Sequence, residues 1–350
     1  MMPHRTIHVA ASRSYDILIG GNILPQIGEA ILPLLGACRV AVLTDSTVDA
    51  LYGDKLMGYL HEAGYNACKY VIPAGEASKC ADNLLAFLNF LAIEQITRSD
   101  AIRAFGGGVV GDLGGLSASL YLRGIKYVQV PTTLLAAVDS SVGGKTAIDI
   151  PAGKNLVGSF YQPVLVFCDT EIMNTLPADI YRDGCAEVIK YGVILDKELY
   201  NVLKEPPFER ESVVARCVEI KRDVVQQDEF DNGLRGLLNF GHTFGHAIEK
   251  LSNFTVSHGS AVAKGMLIAA KIAPLCGLCN VAAELAALLE AYGFDLSCPY
   301  TAEEIYSSLL SDKKRRGGEI TVVLPRSIGD CALVAMPVEE LGGLLHKIMD

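Results

Sequence analysis

From Arg39 to Asp169 the chain alternates short β-rich runs with segments of helical spacing, and few folds accommodate that alternation. RVAVLTD (Arg39–Asp45) is an apolar run ending at a turn, the pattern of a buried strand. Leu51–Ala63 carries helical spacing, Ala67–Ile72 reads as a second strand and Asn83–Ile93 as a second helix. Ala101–Phe105 runs into glycines before Leu113–Leu120 turns helical, Tyr127–Val130 stops at Pro131, and Val164–Asp169 ends the series. His8–Gly20 is an extended opening. Strands separated by helices form a mostly parallel sheet with the helices on its faces. After about Thr175 the period changes. Tyr181–Leu203, Glu211–Gln227, Leu234–Leu251, Ala261–Leu278 and Ala282–Tyr292 are helical, and only Glu319–Leu324 looks strand-like. The expectation is an α/β domain over residues 1–175 and a mostly α-helical domain over 176–350.

A chain of 350 residues accommodates two such domains. Its net charge of −10 offers no global basic field for nucleic acid, although local Lys and Arg could still gather around a small anion. The ten cysteines are scattered, several in apolar segments such as those of Cys168 and Cys217, as expected of reduced thiols. Cys276 and Cys279 form a CxxC with no second pair at metal-finger spacing. No apolar core follows basic residues at the N-terminus, and no apolar run reaches membrane-spanning length. The expectation is a soluble cytoplasmic protein with no membrane or nucleic-acid partner.

GGGVVGD, Gly106–Asp112, follows a strand and opens a helix. Bare backbone N–H groups at a helix N-terminus bind phosphate, and glycines let it approach, although a glycine run alone also fits a tight turn. Asp45, at the end of an early strand, could accept from ribose hydroxyls. AGEASK (Ala74–Lys79) places Gly75, Glu76 and Lys79 after the next strand. These residues lie at strand ends, where open α/β sheets bind ligands. A Rossmann-like nucleotide-binding domain is the resulting expectation.

VDSSVGGKTAIDIPAGK (Val138–Lys154) puts Asp139, Ser140, Ser141, Lys145 and Lys154 beside Asn155, a loop able to surround a hydroxylated, phosphorylated molecule. In the helical half, His242 and His246 stand four apart and share a helix face. Two hydrogen-bonded imidazoles on a half-buried helix fit that spacing as well as a metal does. Glu187 and Lys190 lie three apart in the apolar CAEVIKYG, where both charges are costly unless paired or ligating. Glu187 is therefore the candidate third ligand beside the histidines, in a set that leaves open positions for substrate oxygens. Thr243 rather than Glu follows His242, which disfavours an HExxH protease. Arg235 and Asn239 are read one and two turns before His242 on the same helix. Lys221 sits in another apolar helix, and Lys313 and Lys314 in SDKKRRGG, whose composition is that of a solvated loop.

GGGVVGDLGG, YLRG, QVPTTLLAAVDSSVGGKTAID, GKNLVG, AEVIKYG, LRGLLNFGHTFGHAIE and HGSAVAKGM, in this order, resemble the 3-dehydroquinate synthases. The resemblance implies a phosphate-eliminating carbon–oxygen lyase of the shikimate pathway, which leads to aromatic amino acids. Such an enzyme turns 3-deoxy-D-arabino-heptulosonate 7-phosphate into 3-dehydroquinate with catalytic NAD and one divalent metal, zinc or cobalt. By the resemblance Glu187, His242 and His258 are the metal ligands, and His246 becomes a substrate or proton-relay residue. Gly108, Val109, Val110, Gly111 and Asp112 form the pyrophosphate loop. Asp45, Gly75, Glu76, Lys79, Thr132, Thr133, Lys145, Lys154 and Thr175 are the other cofactor positions. Asp139, Lys145, Asn155, Lys190, Lys221, Arg235, Asn239 and one of Lys313 and Lys314 match substrate contacts. Arg123, in YLRG, matches a residue reaching the substrate phosphate from the neighbouring subunit of a homodimer. Ser260 replaces a usual acid and Lys264 a usual apolar residue, which leaves the support of His258 open. A related cyclase of another sugar phosphate, an NAD- and metal-dependent polyol dehydrogenase, a metallohydrolase and an inactive nucleotide-binding module are the alternatives.

Overall fold

A computed structural model of the chain describes residues 4–313 and 318–349, with side chains up to residue 310 and from 318. The chain divides into two compact units, one of residues 1–177 and 210–230, the other of 178–209 and 231–350.

The first unit is built on seven strands: β1 (Arg5–Val9), β2 (Tyr15–Gly20), β3 (Arg39–Asp45), β4 (Asn66–Ile72), β5 (Ala101–Gly106), β6 (Lys126–Pro131) and, after a separate hairpin, β9 (Leu165–Asp169). Their order is β1-β2-β9-β6-β5-β3-β4. Every pairing is parallel except that of β1 with β2. β5 and β9 are buried at every position, which is why their sequences are mostly apolar without alternation, Arg103 and the terminal Asp169 excepted. From β3 the chain steps to β4 on one side and then crosses to β5 on the other. The β3/β5 junction is thus the topological switch point, outside whose carboxyl ends ligands of such sheets bind.

The hairpin of β7 (Lys145–Ile150) and β8 (Gly153–Phe160) is a difference from the sequence reading, which had one long loop through Val138–Lys154. β8 exposes most of its residues and lacks a hydrophobic stripe, so periodicity did not mark it. A larger difference concerns the helix Arg210–Gln227. It falls within the segment assigned to the helical domain, yet packs on β1, β2 and the turn Ala136–Ser140 of the first unit. Its buried face includes Val213, Val214, Cys217, Val218, Val224 and Val225. Periodicity predicts such a face but not which surface it covers.

β5 also buries Arg103 completely, and none of its three guanidinium nitrogens has a partner among the described residues. Burial pulls its pKa down to about 10 against the opposing influence of Tyr65 and Cys38. An unpaired buried charge is destabilising. Arg103→Met is expected to stabilise the chain by about 1–4 kcal/mol, the range seen when buried ionic groups give way to apolar ones. A urea midpoint that rises at unchanged m-value checks this, and a falling midpoint refutes it.

In the second unit the core is the helix His258–Ile272, buried on nearly every side. It is contacted by the helices Ala178–Leu195, His242–Leu251, Ala282–Ala291 and Val338–Met349 and by β10 (Glu319–Ser327), which pairs antiparallel with β11 (Asp330–Pro337). His258–Cys276 is long and apolar enough to cross a membrane, but most of it is buried within the protein. Two continuous helices of the sequence reading are broken. Asp196 caps a new helix, Lys197–Leu203, by accepting from Glu198 and Leu199 N–H. Gly241, at φ 80°, separates the 3₁₀ turn Leu234–Asn239 from the helix His242–Leu251. Arg235 and Asn239 therefore do not share a helix face with His242. None of the ten cysteines forms a disulfide.

Candidate active site

The helix Ala178–Leu195 buries Glu187 and Lys190, one turn apart and paired with each other. Glu187 Oε1 lies 3.3 Å from Nε2 of both His242 and His258. The three donor atoms all lie within 4.8 Å of one another. His242 begins one helix and His258 another, so the close approach of those helices brings the rings together, 5.3 Å apart at their centroids. Glycines permit that approach and the approach of the His258 helix to the helix carrying Glu187. A Cβ on Gly265 would stand 2.0 Å from the Gly241 carbonyl oxygen, and one on Gly259 would stand 2.4 Å from Asp183 Cα.

Each imidazole turns Nε2 toward Glu187 and finds a second group at Nδ1. His242 Nδ1 is 3.1 Å from the Phe240 carbonyl oxygen, an acceptor that places a proton on Nδ1. His258 Nδ1 is 3.6 Å from Glu249 Oε1. Burial alone would raise the Glu187 carboxyl, but Lys190, His242 and His258 outweigh it and hold the carboxyl well below its ordinary range. Burial lowers His258, yet Glu187 and Glu249 together carry it up to about 10. The cluster therefore attracts positive charge, and two imidazoles with one carboxylate are the donor set of a catalytic zinc site. His246 is exposed, its ring 5.5 Å from that of His242, and belongs to a second possible donor group with Glu249 and His258. Arg235 is buried and Asn239 exposed. The Lys313 side chain and Lys314 lie outside the described residues.

Sequence reasoning passed over Glu249 and Asp183. Glu249 in HAIEKL carried a signal, since a carboxylate on the apolar face of a helix needs a partner. Asp183 Oδ1 accepts from Ser257 Oγ at 2.6 Å, and Ser257 Oγ lies 2.9 Å from Ser260 Oγ. Ser260 thus belongs to a hydroxyl network just before and within the first turn of the His258 helix. Lys264, the other departure, donates to the backbone carbonyls of Asp295 and Ser297.

In the first unit the predicted cofactor positions follow the carboxyl ends of the strands: Asp45 after β3, Gly75, Glu76 and Lys79 after β4, Gly107 and Gly108 after β5, Thr132 and Thr133 after β6, and Thr175 after β9. The helix Gly108–Leu120 starts earlier than its apolar pattern indicated, so Gly108, Val109, Val110, Gly111 and Asp112 all lie in its first two turns. Side chains on Gly107 and Gly108 would come within 3.1 Å of Thr133 Cγ2 and 3.2 Å of Ser140 Oγ. Thr132 Oγ1, Ser140 Oγ and Ser141 Oγ are buried without hydrogen-bond partners among the described residues. A bare helix N-terminus with orphaned hydroxyls nearby fits a phosphate-bearing ligand. Asp45 caps the turn Ser46–Val48 through the N–H groups of Thr47 and Val48, and Thr175 Oγ1 lies 2.9 Å from Tyr52 OH.

Lys79 ties this edge to the hairpin. Its Nζ is 3.1 Å from Asp112, 3.2 Å from Glu76, 3.9 Å from Asp149 and 2.7 Å from Asn155 Oδ1. Lys145 opens β7, and Lys154 and Asn155 lie on β8. Lys221 donates to both the carbonyl and the carboxylate of Asp139. Arg123 is exposed in the 3₁₀ turn Tyr121–Arg123. Burial opposes the Lys79 ammonium, but Asp112, Glu76 and Asp149 hold its pKa above the ordinary value. With three carboxylates around one cation, burial pushes Asp112 up to about 6 despite Lys79.

A carboxyl raised from 3.8 to about 6 keeps a proton that the unfolded chain releases. Its contribution to stability is therefore full below the unfolded value and is lost as pH rises through the folded one. Asp112→Asn removes that dependence. Relative to the parent, its unfolding free energy is expected to rise between about pH 4 and 7, by about 1–3 kcal/mol. A difference independent of pH would mean that Lys79 keeps Asp112 ionised.

Solved structures of sugar phosphate cyclases share this fold. Over 98% of both chains the protein superposes on ValA, a 2-epi-5-epi-valiolone synthase from Streptomyces hygroscopicus subsp. jinggangensis 5008 solved with NAD+ and Zn2+, with a TM-score of 0.87 at 28% identity. A 2-deoxy-scyllo-inosose synthase complexed with carbaglucose-6-phosphate, NAD+ and Co2+ shares the fold at TM-score 0.86 and 24% identity, covering 99% of this chain and 100% of that one. The N-terminal and C-terminal family models of 3-dehydroquinate synthase match residues 69–183 and 184–315. A 3-dehydroquinate synthase of Pelobacter propionicus is 46% identical over 340 residues, 94% of this chain and 95% of its own length. The chain belongs to the 3-dehydroquinate synthase family.

Proposed function

We propose that this chain converts 3-deoxy-D-arabino-heptulosonate 7-phosphate to 3-dehydroquinate and phosphate, with catalytic NAD and one divalent cation, zinc or cobalt. The observation that carries the reading is the convergence of Glu187, His242 and His258 within 4.8 Å in a chain of this family. These three residues would hold the cation. The glycine turn and first helical turns of Gly106–Asp112 would hold the NAD pyrophosphate, with Asp45, Glu76, Lys79, Thr132, Thr133, Lys154 and Thr175 around the rest of the cofactor.

The reaction comprises oxidation at C5, loss of phosphate, re-reduction, ring opening and an intramolecular aldol closure. When bound, NAD supplies a hydride acceptor that is restored each turnover, and the cation acidifies the C5 hydroxyl and polarises the ketone. The remaining work falls to charge and positioning. Lys190, buried against Glu187, keeps that carboxylate ionised and brings an ammonium to the cluster. Lys145 and Asn155 supply donors for the substrate phosphate, and Arg123 would reach it from the second copy of a homodimer. Arg235 offers a planar guanidinium suited to the substrate carboxylate. Lys221 orients Asp139 for the sugar hydroxyls, with Asn239 and Lys313 as further contacts. His246, exposed one turn beyond His242, would carry a proton. The departing phosphate accepts the proton next to the ketone, so elimination requires no separate protein base.

Phosphate release from the heptulosonate phosphate, with and without NAD and a chelator, tests the reading. Release that requires both NAD and the cation, with no accumulation of NADH, is the expected result. Stoichiometric NADH would instead identify a polyol dehydrogenase, and release without NAD a hydrolase.

A further inference from the structure

We propose that Glu249 is the positioning residue for His258, accepting its Nδ1 proton so that Nε2 is presented to the cation. The inference rests on the reading that Glu187, His242 and His258 hold that cation.

His242 and His258 have different local support. His242 is oriented from within its own segment, by the Phe240 carbonyl at Nδ1. His258 is the first residue of its helix, and its side chain remains 33% exposed. The residue two beyond it, Ser260, is occupied by the Ser257 and Asp183 network. The acidic group facing Nδ1 comes instead from the neighbouring helix His242–Leu251, where Glu249 is buried. Its Oε1 stands 3.6 Å from Nδ1, while Nε2 of the same ring stands 3.3 Å from Glu187. The former distance is within ion-pair reach and longer than a hydrogen bond, as is common in sites that tighten when occupied. A carboxylate on the far nitrogen of a ligating histidine selects the tautomer, fixes the ring plane and makes the near nitrogen more basic.

The same carboxylate also belongs to the second donor group, His246, Glu249 and His258. The chemistry of imidazole decides between the two roles. A neutral ring has one lone pair and one N–H, so a ring that ligates through Nε2 keeps its proton on Nδ1. Glu249 then serves as an acceptor of that proton, and the two groups describe one cation with its support rather than two cations.

The test compares the full-length chain with Glu249→Ala, Glu249→Gln and Glu187→Gln. Zinc affinity is measured by chelator competition, the cobalt form by its visible spectrum, NAD binding as a control, and the melting temperature of the metal-free protein in parallel. The parent is expected to bind one ion per chain. Glu249→Ala should weaken it about 10–100-fold with an altered cobalt spectrum, and Glu249→Gln, which keeps an acceptor without the charge, should weaken it less. Glu187→Gln should weaken it more than either, and NAD affinity should be unchanged throughout. Unaltered ion affinity and cobalt spectrum in both Glu249 variants, with only the melting temperature lowered, would overturn the proposal and leave Glu249 a structural role. Two ions per parent chain, falling to one in Glu249→Ala, would also overturn it by making Glu249 a ligand. If Glu249→Ala does not fold, the Gln variant decides by the same readings. A parent that binds no ion would refute the underlying reading of the metal site.

Discussion

Purified His258→Ala is expected to retain almost no divalent cation and to release phosphate about 10³-fold more slowly than the parent. Polarisation by a metal ion supplies several kcal/mol of transition-state stabilisation, and each 1.36 kcal/mol is a decade in rate. In the proposed site His258 would contribute one of three donor atoms, and among the described residues paired with Glu187 neither Lys190, a cation, nor His242, which would already use its Nε2, could replace it. The fold should survive. His258 stands at a helix start and is partly exposed, and Glu187 keeps Lys190 and His242 after its removal. Elemental analysis and far-UV circular dichroism check both statements. His246→Ala is the companion variant: its ring is exposed and lies outside the Glu187 cluster, so the ion should stay while turnover falls. Full ion retention in His258→Ala would sink the ligand assignment.

Gly265→Ala is expected to be among the most destabilising single-methyl changes available to the chain, costing about 4–5 kcal/mol. The added Cβ would lie 2.0 Å from the Gly241 carbonyl oxygen and 2.7 Å from the Gly245 nitrogen. Ordinary overpacking costs about 1–3 kcal/mol because neighbouring side chains move aside. Here the obstacles are backbone atoms, one of them in a residue held at φ 80°, and neither can rotate away. The helices His242–Leu251 and His258–Ile272 must separate, and the His242 and His258 rings separate with them. Chemical denaturation should show a lowered midpoint, and chelator competition a weakened ion. Parent-like stability would show that the backbone there yields far more easily than packed helices do.

These glycines mark how far the sequence reading reached. The bounds of β3 and the buried character of β5, β6 and β9 were legible, because a strand covered on both faces is mostly apolar and does not alternate. The helical second half was legible from its period, and the turn after β5 from its glycines. β8 was not, since an exposed strand of mixed composition carries no stripe. Nor was the end of the 3₁₀ turn before His242, because the apolar spacing of Leu234–Leu251 continues across the left-handed Gly241. The motif GHTFGHAIE suggested His242 and His246 as neighbours on one helix face, and they are. It did not indicate by spacing that the ring facing Glu187 beside His242 would come from His258, nor that Glu249 would lie behind it.

Residue type and short-range order were thus enough to indicate most of the strands and helices and the glycine turn that follows β5. They could do so because periodicity, capping and turn preference act over a few residues. The choice of partners belonged to the folded chain. Glu187 and His258 are separated by 71 positions, and their meeting depends on how closely their two helices pack at Gly259, where a Cβ would stand 2.4 Å from Asp183 Cα. The helix Arg210–Gln227 covers β1 and β2 for a similar reason: its apolar face requires burial, and only the three-dimensional arrangement of the surfaces determines which one receives it.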